Sequence, residues 1–283
     1  MKKHCSSPSI KRALQSGCQT PVLGKIGNLE TRFARNTAEI HAAQSLRYQV
    51  FCEEMGALTD AVSRVQKRER DIYDPYCRHL LALDNSLPEN QQIIGTYRLM
   101  TGVSARQGAG FYSAQEFHLG KLLSQKAGRN ILELGRSCIA KPYRNRRTIE
   151  LMWQGIWANV LEEKVDYLIG CASFPGTDPE EWRKGFNWLS RYAALDAELD
   201  CAPVSQRSFC LATDFESQHN DIRAFASLPP LLKGYLRVGA KVSSHAVIDP
   251  HFDTIDVLVV LDVTDIAARF ISHFGADASR FAA

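Results

Sequence analysis

The sequence lacks a long hydrophobic run, and its cysteines lack the spacing of a metal site. No stretch of the 283 residues approaches the roughly 18 apolar residues that a membrane-spanning helix needs. The N-terminal Lys2 and Lys3 are not followed by a continuous apolar segment, which argues against a secretory signal. The eight cysteines include no CxxC pair. We therefore expect reduced thiols, no bound metal and a cytoplasmic protein.

The chain also has a small net charge and no internal repeat. A net charge of +3 does not make the chain a polycation, so we expect no nucleic-acid partner. Any preference for an acidic partner must come from a local cluster of basic residues. No repeat or compositional break divides the chain. Residues 1–26 are polar and lack periodicity, which predicts a mobile tail, and residues 27–275 are predicted to form a single domain.

The stretch from Ile131 to Ile156 has the most informative pattern. Its first ten residues predict a buried strand, but Glu133 and Arg136 interrupt the apolar run. Two charges three residues apart in a strand point to opposite faces, unless a bulge at Gly135 redirects one of them. A basic turn follows, and a helix is predicted from Thr148. A helix N-terminus favours phosphate, and the turn adds three guanidinium groups, those of Arg144, Arg146 and Arg147.

Periodicity predicts seven strands and several helices. The strands are predicted at residues 28–35, 79–83, 93–100, 131–140, 167–174, 242–248 and 255–261. Helices are predicted from 37 to a stop at Gly56, from 148, from 178 to about 195, over 228–238, and at the end of the chain to 273–275. This order indicates an α/β fold with a mixed sheet and helices on its faces. The connection at 101–117 is long enough to be a binding loop.

Five further residues each have an ordinary explanation but together suggest a site. Arg47 fits a surface charge and Phe51, one helical turn later, fits a core position. Asp71 and Asp74 fit turn caps, and Arg98 fits a structural ion pair with Glu133. So many charges beside one sheet are seldom tolerated in a purely structural protein. We therefore predict that they converge at a single cleft.

The motifs that contain these residues resemble a known family. R-Y-x-V-F at Arg47–Phe51, D-x-x-D at Asp71–Asp74, Y-R-L at Tyr97–Leu99 and E-L-G-R at Glu133–Arg136 are similar to the signature of acyl-homoserine-lactone synthases, which belong to the GCN5-related N-acyltransferases. The resemblance is closer to the L-ornithine N-alpha-acyltransferases of ornithine lipid synthesis. It extends through FCEEMG, GFYSAQEF, GCASFPGTDP and the closing LPPLLKGYLRVGAKV and DPHFDTIDVLVVL segments, and it covers roughly residues 29–265.

The resemblance implies a mixed, mostly antiparallel sheet that is splayed between the fourth and fifth predicted strands. It also implies transfer of a 3-hydroxy fatty acyl group from acyl carrier protein to the alpha-amine of L-ornithine, which gives lyso-ornithine lipid. In this scheme Glu133 is the candidate general base and Arg136 orients it or the substrate. Asp71 and Asp74 are expected to hold the side-chain ammonium of ornithine. Arg47 and Arg98 are expected to order those carboxylates, and Phe51 to line an acyl slot.

Two departures from the related motifs narrow the substrates. Ala57 stands where lactone synthases typically have a tryptophan that packs on S-adenosylmethionine, which argues against that substrate. The turn reads R-x-x-R-x-I and lacks the glycines that let a backbone wrap a pyrophosphate. Arg144, Arg146 and Arg147 are therefore predicted to bind the single phosphate of phosphopantetheine, which enters as part of the carrier protein, so no separate cofactor is expected.

Two other functions stay open from the sequence alone. One is an acyl-homoserine-lactone synthase, which shares the motifs above. The other is a non-catalytic protein that binds a carrier protein or a membrane, since some relatives were once described as hemolysin-like. Peripheral contact with the inner membrane surface is compatible with both enzyme and non-enzyme, because a chain without a spanning helix can still bind a lipid surface.

Overall fold

The computed structural model describes residues 20–212 and 221–266, and these residues build one nine-stranded sheet. The strands are β1 (Gly24–Ile26), β2 (Leu29–Phe33), β3 (Arg78–Asp84), β4 (Ile93–Thr101), β5 (Ile131–Ile139), β6 (Tyr167–Pro175), β7 (Ser208–Cys210), β8 (Lys241–Asp249) and β9 (Thr254–Asp262). Their order across the sheet is β1-β2-β3-β4-β5-β6-β9-β8-β7. Neighbouring strands are antiparallel, except that β5 and β6 are parallel. The predicted mixed, mostly antiparallel α/β fold is confirmed.

The helices lie between and beside these strands. They are α1 (Thr37–Arg47), α2 (Ala61–Gln66), α3 (Gly102–Gln107), α4 (Gly120–Gln125), α5 (Arg146–Glu162), α6 (Arg183–Tyr192), α7 (Asp221–Ser227) and α8 (Pro230–Arg237). Helix α1 continues directly into a π-helical segment, Tyr48–Glu54. Within the two described ranges, no helix is both long enough and apolar enough to cross a membrane.

The two faces of the sheet are covered by different helices because successive side chains of a strand point in opposite directions. In β3, Leu81 belongs to the buried cluster that includes Ala43 of α1. Its neighbour Leu80 belongs to the large core that includes Leu151 and Ile156 of α5. We call these the α1 face and the α5 face. Each of these large aliphatic side chains contributes roughly 1.5–3 kcal/mol by leaving water, so both helices are held firmly against the sheet.

The sheet splits between β5 and β6, the fourth and fifth of the predicted strands. The two strands pair only from Ile131 opposite Tyr167 to Glu133 opposite Ile169. Gly170 marks the point of divergence, because a Cβ added there would lie 2.3 Å from the carbonyl oxygen of Leu134. Beyond this point both strands continue, to Ile139 and Pro175, without pairing to each other. The predicted splay is therefore confirmed.

Several predicted boundaries are corrected by the structure. Gly24–Ile26, inside the predicted tail, forms β1 at the sheet edge, and Ser208–Cys210 forms a strand outside all seven predicted strands. The helix predicted from Thr148 begins at Arg146, because Asn145 caps it by accepting a hydrogen bond from the Thr148 amide at 3.1 Å. The long 101–117 connection contains α3 and a 3-10 turn. Residues 1–19 of the predicted tail and the predicted last helix lie outside the described residues.

Candidate active site

A bulge in β5 brings the two charged residues of the central strand to one face. Thr96 of β4 lies opposite Cys138, but Arg98 lies opposite Gly135, so β5 contains one extra residue here. Arg136 has a φ of 50°, in the left-handed region. The predicted bulge therefore exists, but it is centred on Arg136, one residue beyond Gly135. As a result, Arg136 shares the α1 face with Glu133 instead of pointing to the opposite side.

Six buried or partly buried charges meet on the α1 face next to this bulge. We call them the charge network; its three guanidinium groups and three carboxylates belong to Arg47, Glu69, Asp71, Asp74, Arg98 and Arg136. They come from α1, from β4, from β5 and from the segment between α2 and β3. Their formal charges cancel, which is what permits so many ions to lie away from water. The predicted convergence of Arg47, Asp71, Asp74, Arg98 and Arg136 is thus present.

Arg47 is the most deeply buried member of the charge network. Its Nε donates to Glu69 at 2.6 Å, and its Nη1 and Nη2 donate to Asp74 at 2.8 and 2.9 Å. Its side chain is only 1% exposed. Burial alone would raise the pKa of Asp74, but Arg47 outweighs burial and holds that pKa well below its ordinary value. Arg47 and Asp74 therefore form a charged pair inside the protein and do not reach a cavity.

Arg98 and Arg136 link this buried pair to the surface. Arg98 donates to Asp71 at 2.6 Å and to Asp74 at 3.0 Å. Arg136 donates to Glu69 at 3.2 Å and to Asp71 at 3.3 Å. Asp74 receives further donors from Gln44, so its two oxygens are fully engaged. Asp71, in contrast, lies at the outer end of the charge network.

Aromatic rings enclose the Arg136 guanidinium. Its central carbon lies 4.5 Å from the centroid of Tyr112 and 4.6 Å from that of Phe252. Phe51 packs edge-on against Phe252, with centroids 5.9 Å apart. Burial would lower the pKa of Arg136, but Glu69 raises it, so the guanidinium stays charged. Phe51 thus supports the ring that covers Arg136, and its place in an acyl slot stays a prediction.

A cavity of about 580 Å³ opens on the α1 face beside Arg136. Asp71, Tyr112 and Arg136 form one part of its wall, and Glu116, Arg207 and Asp249 form another. Of the residues predicted from the sequence, Asp71 and Arg136 line it. Arg47, Phe51, Asp74, Arg98 and Glu133 do not line it.

Glu133 lies beneath the loop that borders this cavity. Its two oxygens accept hydrogen bonds from the amides of Tyr112 and Ser113, at 2.8 and 2.7 Å. Burial raises the pKa of Glu133, and the two amides only partly oppose that shift. The ordinary explanation of Arg98 as a structural ion pair with Glu133 does not hold among the described residues, because Arg98 pairs instead with the two aspartates. Glu133 therefore anchors the start of the 3-10 turn Tyr112–Gln115.

The small gap between β5 and β6 has its own apolar void on the α5 face. Leu134, Gly170 and Tyr235 are among its lining residues, and its volume is about 20 Å³. The hydroxyl of Tyr235 contacts that of Tyr97 there. The cavity of about 580 Å³ and this void therefore lie on opposite faces of the sheet, next to the same split.

The three arginines of the basic turn differ in how strongly other residues hold their guanidinium groups. Arg144 is held by Glu54 at 2.6 Å and by the carbonyl of Ile139 at 2.8 Å. Arg147 donates to the carbonyl of Ile26 at 2.8 Å. Arg146 is 86% exposed and contacts only Glu150 of its own helix among the described ion pairs. All three stand at the N-terminus of α5, which follows β5 at the open end of the split.

Sequence reasoning missed Glu69, Glu116, Arg207, Asp249 and Asp256. Glu69 lies in a charged segment whose composition is typical of a solvated surface, so only tertiary contacts distinguish it. Asp249 and Asp256 belong to the quoted DPHFDTIDV segment, where three aspartates within eight positions offered a signal. Glu116 belongs to the quoted GFYSAQEF segment, whereas Arg207 carried no local signal.

Comparison with known proteins gives consistent matches. An acetyltransferase (GNAT) domain family matches residues 46–154. The chain is 44% identical over 280 residues to the L-ornithine N(alpha)-acyltransferase of Rhizobium meliloti, covering 98% of this chain and 94% of that protein. It is 43% identical over 262 residues to the protein of the same name from Brucella abortus, covering 92% and 93%. A third such protein, from Agrobacterium fabrum, is 44% identical over 261 residues and is covered to 89%, with 92% of this chain aligned.

Solved structures show weaker likeness. An N-acyl amino acid synthase from uncultured soil microbes, FeeM, aligns with a TM-score of 0.47 at 11% identity, covering 83% of this chain and 91% of that one. A CoA-dependent acyl-homoserine lactone synthase, BjaI, aligns with a TM-score of 0.45 at 12% identity, covering 85% and 82%.

Proposed function

The chain belongs to the family of L-ornithine N(alpha)-acyltransferases, and from that membership we propose that it transfers a fatty acyl group from an acyl carrier protein to the alpha-amine of L-ornithine. The observation that carries this proposal is the 43–44% identity over most of the chain to relatives with that activity in their names. The protein is accordingly an N-acyltransferase. The carrier-bound donor, the 3-hydroxy group on the acyl chain and the lyso-ornithine lipid product are the finer parts of the proposal.

The two faces of the split sheet support a division between acceptor and donor. The cavity on the α1 face has charged walls and a volume of about 580 Å³, which suits a small polar amino acid. On the α5 face, the gap at Gly170 is lined by apolar side chains, as the thioester side of a donor requires, but at about 20 Å³ it has room for about one water molecule and does not itself accommodate a phosphopantetheine arm. We propose that an amine bound on the α1 face meets the thioester carbonyl carbon at the split, where β5 and β6 stop pairing.

The chemistry requires an unprotonated amine. The alpha-ammonium loses a proton, its nitrogen forms a bond to the thioester carbonyl carbon, and the C–S bond breaks to release a thiol. Backbone N–H groups of β5 beyond Glu133 face the split without a strand partner from β6, and they are suited to stabilise the developing oxyanion. No covalent enzyme intermediate is needed. The buried Cys138 is therefore assigned no nucleophilic role, since burial raises the pKa of its thiol to about 12.

Glu133 keeps its proposed role as general base, acting through a water. Its oxygens do not line the cavity, so direct contact with the amine is not part of the proposal. Burial favours proton uptake by this carboxylate. Arg136 and Asp71 form the adjacent cavity wall and are proposed to orient the amino acid, with Arg207 at the mouth as a candidate partner for its carboxylate. Arg47, Asp74 and Arg98 maintain this wall from behind.

The basic turn is proposed as the docking site for the carrier protein. Arg146 carries most of the accessible charge, and the α5 N-terminus adds free amide donors that favour the phosphate. Arg144 is tied to β5 through the Ile139 carbonyl. We therefore assign Arg144 a positioning role in the turn, and Arg146 and Arg147 the contact with the acidic carrier.

The experiment that tests the function supplies the purified protein with 3-hydroxyacyl carrier protein and either ornithine or S-adenosylmethionine. Thiol release with ornithine, and an N-acylornithine mass, support the proposal. Thiol release only with S-adenosylmethionine would make the protein a lactone synthase, and no release with either would favour a binding protein.

The docking assignment is tested with Arg146→Glu combined with Arg147→Glu. We expect the KM for the carrier protein to rise about tenfold or more, with little change in the KM for ornithine, because the turn lies on the donor side. Lys184→Glu with Arg191→Glu makes the same change of charge on α6 and serves as the control. Equal increases in both KM values would remove the turn from carrier docking.

A further inference from the structure

Three carboxylates gather at the inner wall of the cavity, away from the charge network. Glu116 follows the 3-10 turn, Asp249 ends β8, and Asp256 lies in β9. Each offers an oxygen, and these oxygens lie within 4.8 Å of one another. We call these residues the acidic trio. Glu116 and Asp249 line the cavity, and Asp256 lies directly behind them.

Two members of the acidic trio, Glu116 and Asp256, have buried oxygens without the hydrogen-bond partners that such groups normally require. Glu116 is 7% exposed and Asp256 is 4% exposed. Both oxygens of Glu116 and the Oδ1 of Asp256 are buried without a hydrogen-bond partner among the described residues. Asp249 accepts from the His251 amide at 2.7 Å. A buried carboxylate without a partner is costly, so these oxygens form an incomplete site that faces the cavity.

No guanidinium or ammonium of the described residues forms an ion pair with the acidic trio. Arg136 and Arg207 are cations that line the same cavity; Arg136 is engaged by Glu69 and Asp71, and none of the described ion pairs joins Arg207 to the trio. The charge network therefore has three cations for its three carboxylates, whereas the trio has none. The excess of carboxyl groups over cations beside the cavity favours a cation from outside the chain: burial raises the pKa of Glu116 and of Asp256, so without such a cation these groups take up protons instead.

We propose that Glu116, Asp249 and Asp256 bind the side-chain ammonium group of the diamino acid substrate. This inference rests on the proposed function, which places ornithine in the cavity. It replaces the prediction that Asp71 and Asp74 hold this ammonium, because Asp74 is already saturated by Arg47, Gln44 and Arg98.

The geometry suits an ammonium ion. An ammonium has three N–H donors in tetrahedral directions, and acceptors at about 2.8 Å from its nitrogen stand about 4.6 Å apart. Three oxygens within 4.8 Å of one another accommodate that arrangement. Mg²⁺ would instead hold adjacent oxygens at about 2.1 Å from the ion and about 3 Å from one another, a spacing that the same upper bound of 4.8 Å also allows. A divalent cation is therefore the competing occupant, and the test includes it.

The position of the acidic trio explains how one amino group is chosen for reaction. The side-chain ammonium is held among carboxylates on the α1 face, where it remains protonated and cannot attack a thioester. The alpha-amine then lies at the other end of the substrate, on the side of the cavity near Arg136 and the split. Selectivity for the alpha position follows from binding the other amine, without any direct recognition of the alpha-carbon.

Norvaline tests this assignment because it has the carbon skeleton of ornithine without the side-chain amine. For the parent protein we expect kcat/KM for ornithine to exceed that for norvaline by at least about 100-fold. Glu116→Gln and Asp256→Asn, made separately, should each lower kcat/KM for ornithine by at least about 30-fold, mainly through KM. The value for norvaline should change by less than about threefold. Glu198→Gln, an exposed carboxylate outside the cavity, is the control and should match the parent.

Binding measured by calorimetry without the carrier protein separates this inference from the reaction itself. If the parent binds ornithine in preference to norvaline and both variants lose that preference, the assignment stands even if no thiol is released. If thiol release is equal with ornithine and norvaline, the reaction stands and the assignment is overturned. Loss of activity in EDTA that Mg²⁺ or Ca²⁺ restores in the parent, but not in the variants, would make the trio a metal site and also overturn it.

Discussion

Replacing Arg47 by methionine tests whether the charge network is structural. The substitution removes the guanidinium but keeps a long, flexible apolar side chain of similar reach. It deletes the hydrogen bonds to Glu69 at 2.6 Å and to Asp74 at 2.8 and 2.9 Å, and another to the Glu69 carbonyl at 2.7 Å. The charge network then has three carboxylates but only two guanidinium groups, and Glu69 and Asp74 remain buried in it.

The expected loss of unfolding free energy follows from what remains. Removing one partner of a buried ion pair typically costs about 3–5 kcal/mol. Asp74 keeps Arg98 at 3.0 Å, and Glu69 keeps Arg136 at 3.2 Å. These contacts place the loss near the lower end, at about 3 kcal/mol. For a chain of this size that corresponds to a fall in Tm of about 6 °C or more.

The assay is urea and thermal unfolding, read alongside steady-state kinetics. Arg129→Met is the matched control, because the Arg129–Asp166 pair, at 3.2 Å, is exposed and is expected to contribute less than about 1 kcal/mol. Combining Arg47→Met with Asp74→Asn should recover part of the loss, since it removes one stranded charge. The reasoning is refuted if Arg47→Met unfolds within about 1 kcal/mol of the parent yet raises the KM for ornithine tenfold, because Arg47 would then contact substrate.

Three further predictions follow from single features of the structure. If Glu133 is the base, Glu133→Gln should lower kcat by about 100-fold or more with a small change in KM. A fall in kcat together with a similar rise in KM, with an unchanged pH profile, would show that Glu133 only anchors the 112–113 loop. Burial raises the pKa of Asp256 to about 6, and Glu116, Asp249, Arg136 and Ser173 surround this residue. The protonated Asp256 side chain therefore stabilises the fold fully below its unfolded-state pKa near 3.9, and this contribution is lost as the pH rises through 6. Relative to the parent, Asp256→Asn should therefore gain on the order of 2 kcal/mol of unfolding free energy as the pH rises from 4 to 7, measured by urea unfolding. If the difference in unfolding free energy stays constant across that range, the raised pKa of Asp256 is contradicted. Gly170→Ala should lower Tm and acyl transfer together, because the added Cβ meets the Leu134 carbonyl oxygen at 2.3 Å where the sheet divides; an unchanged Tm would mean that β5 and β6 separate freely there.

Local sequence patterns were sufficient to locate most elements of the fold. Short, largely apolar runs at 79–83, 93–100 and 255–261 correspond to β3, β4 and β9, with boundaries within one residue of the observed strands. Such runs identify these strands because a strand in a sheet that is covered on both faces buries nearly every side chain. The short edge strand β1 was missed because three residues, GKI, are too few to show a period. Family membership was also readable, since it depends on collinear motifs and not on geometry.

Only the tertiary structure decided what each charged residue does. Asp71 and Asp74 look equivalent in sequence, but Asp74 is enclosed by Arg47, Gln44 and Arg98 whereas Asp71 reaches the cavity. The bulge at Arg136 reverses the side on which that residue points, and it depends on pairing with β4. Glu116, Asp249 and Asp256 come from three separate elements and meet only after β6, β9 and β8 assemble. The physical reason is that desolvation and the number of nearby counter-ions determine whether a carboxylate supports the fold or binds a ligand. Both depend on residues that are distant in the chain and close only in the folded protein.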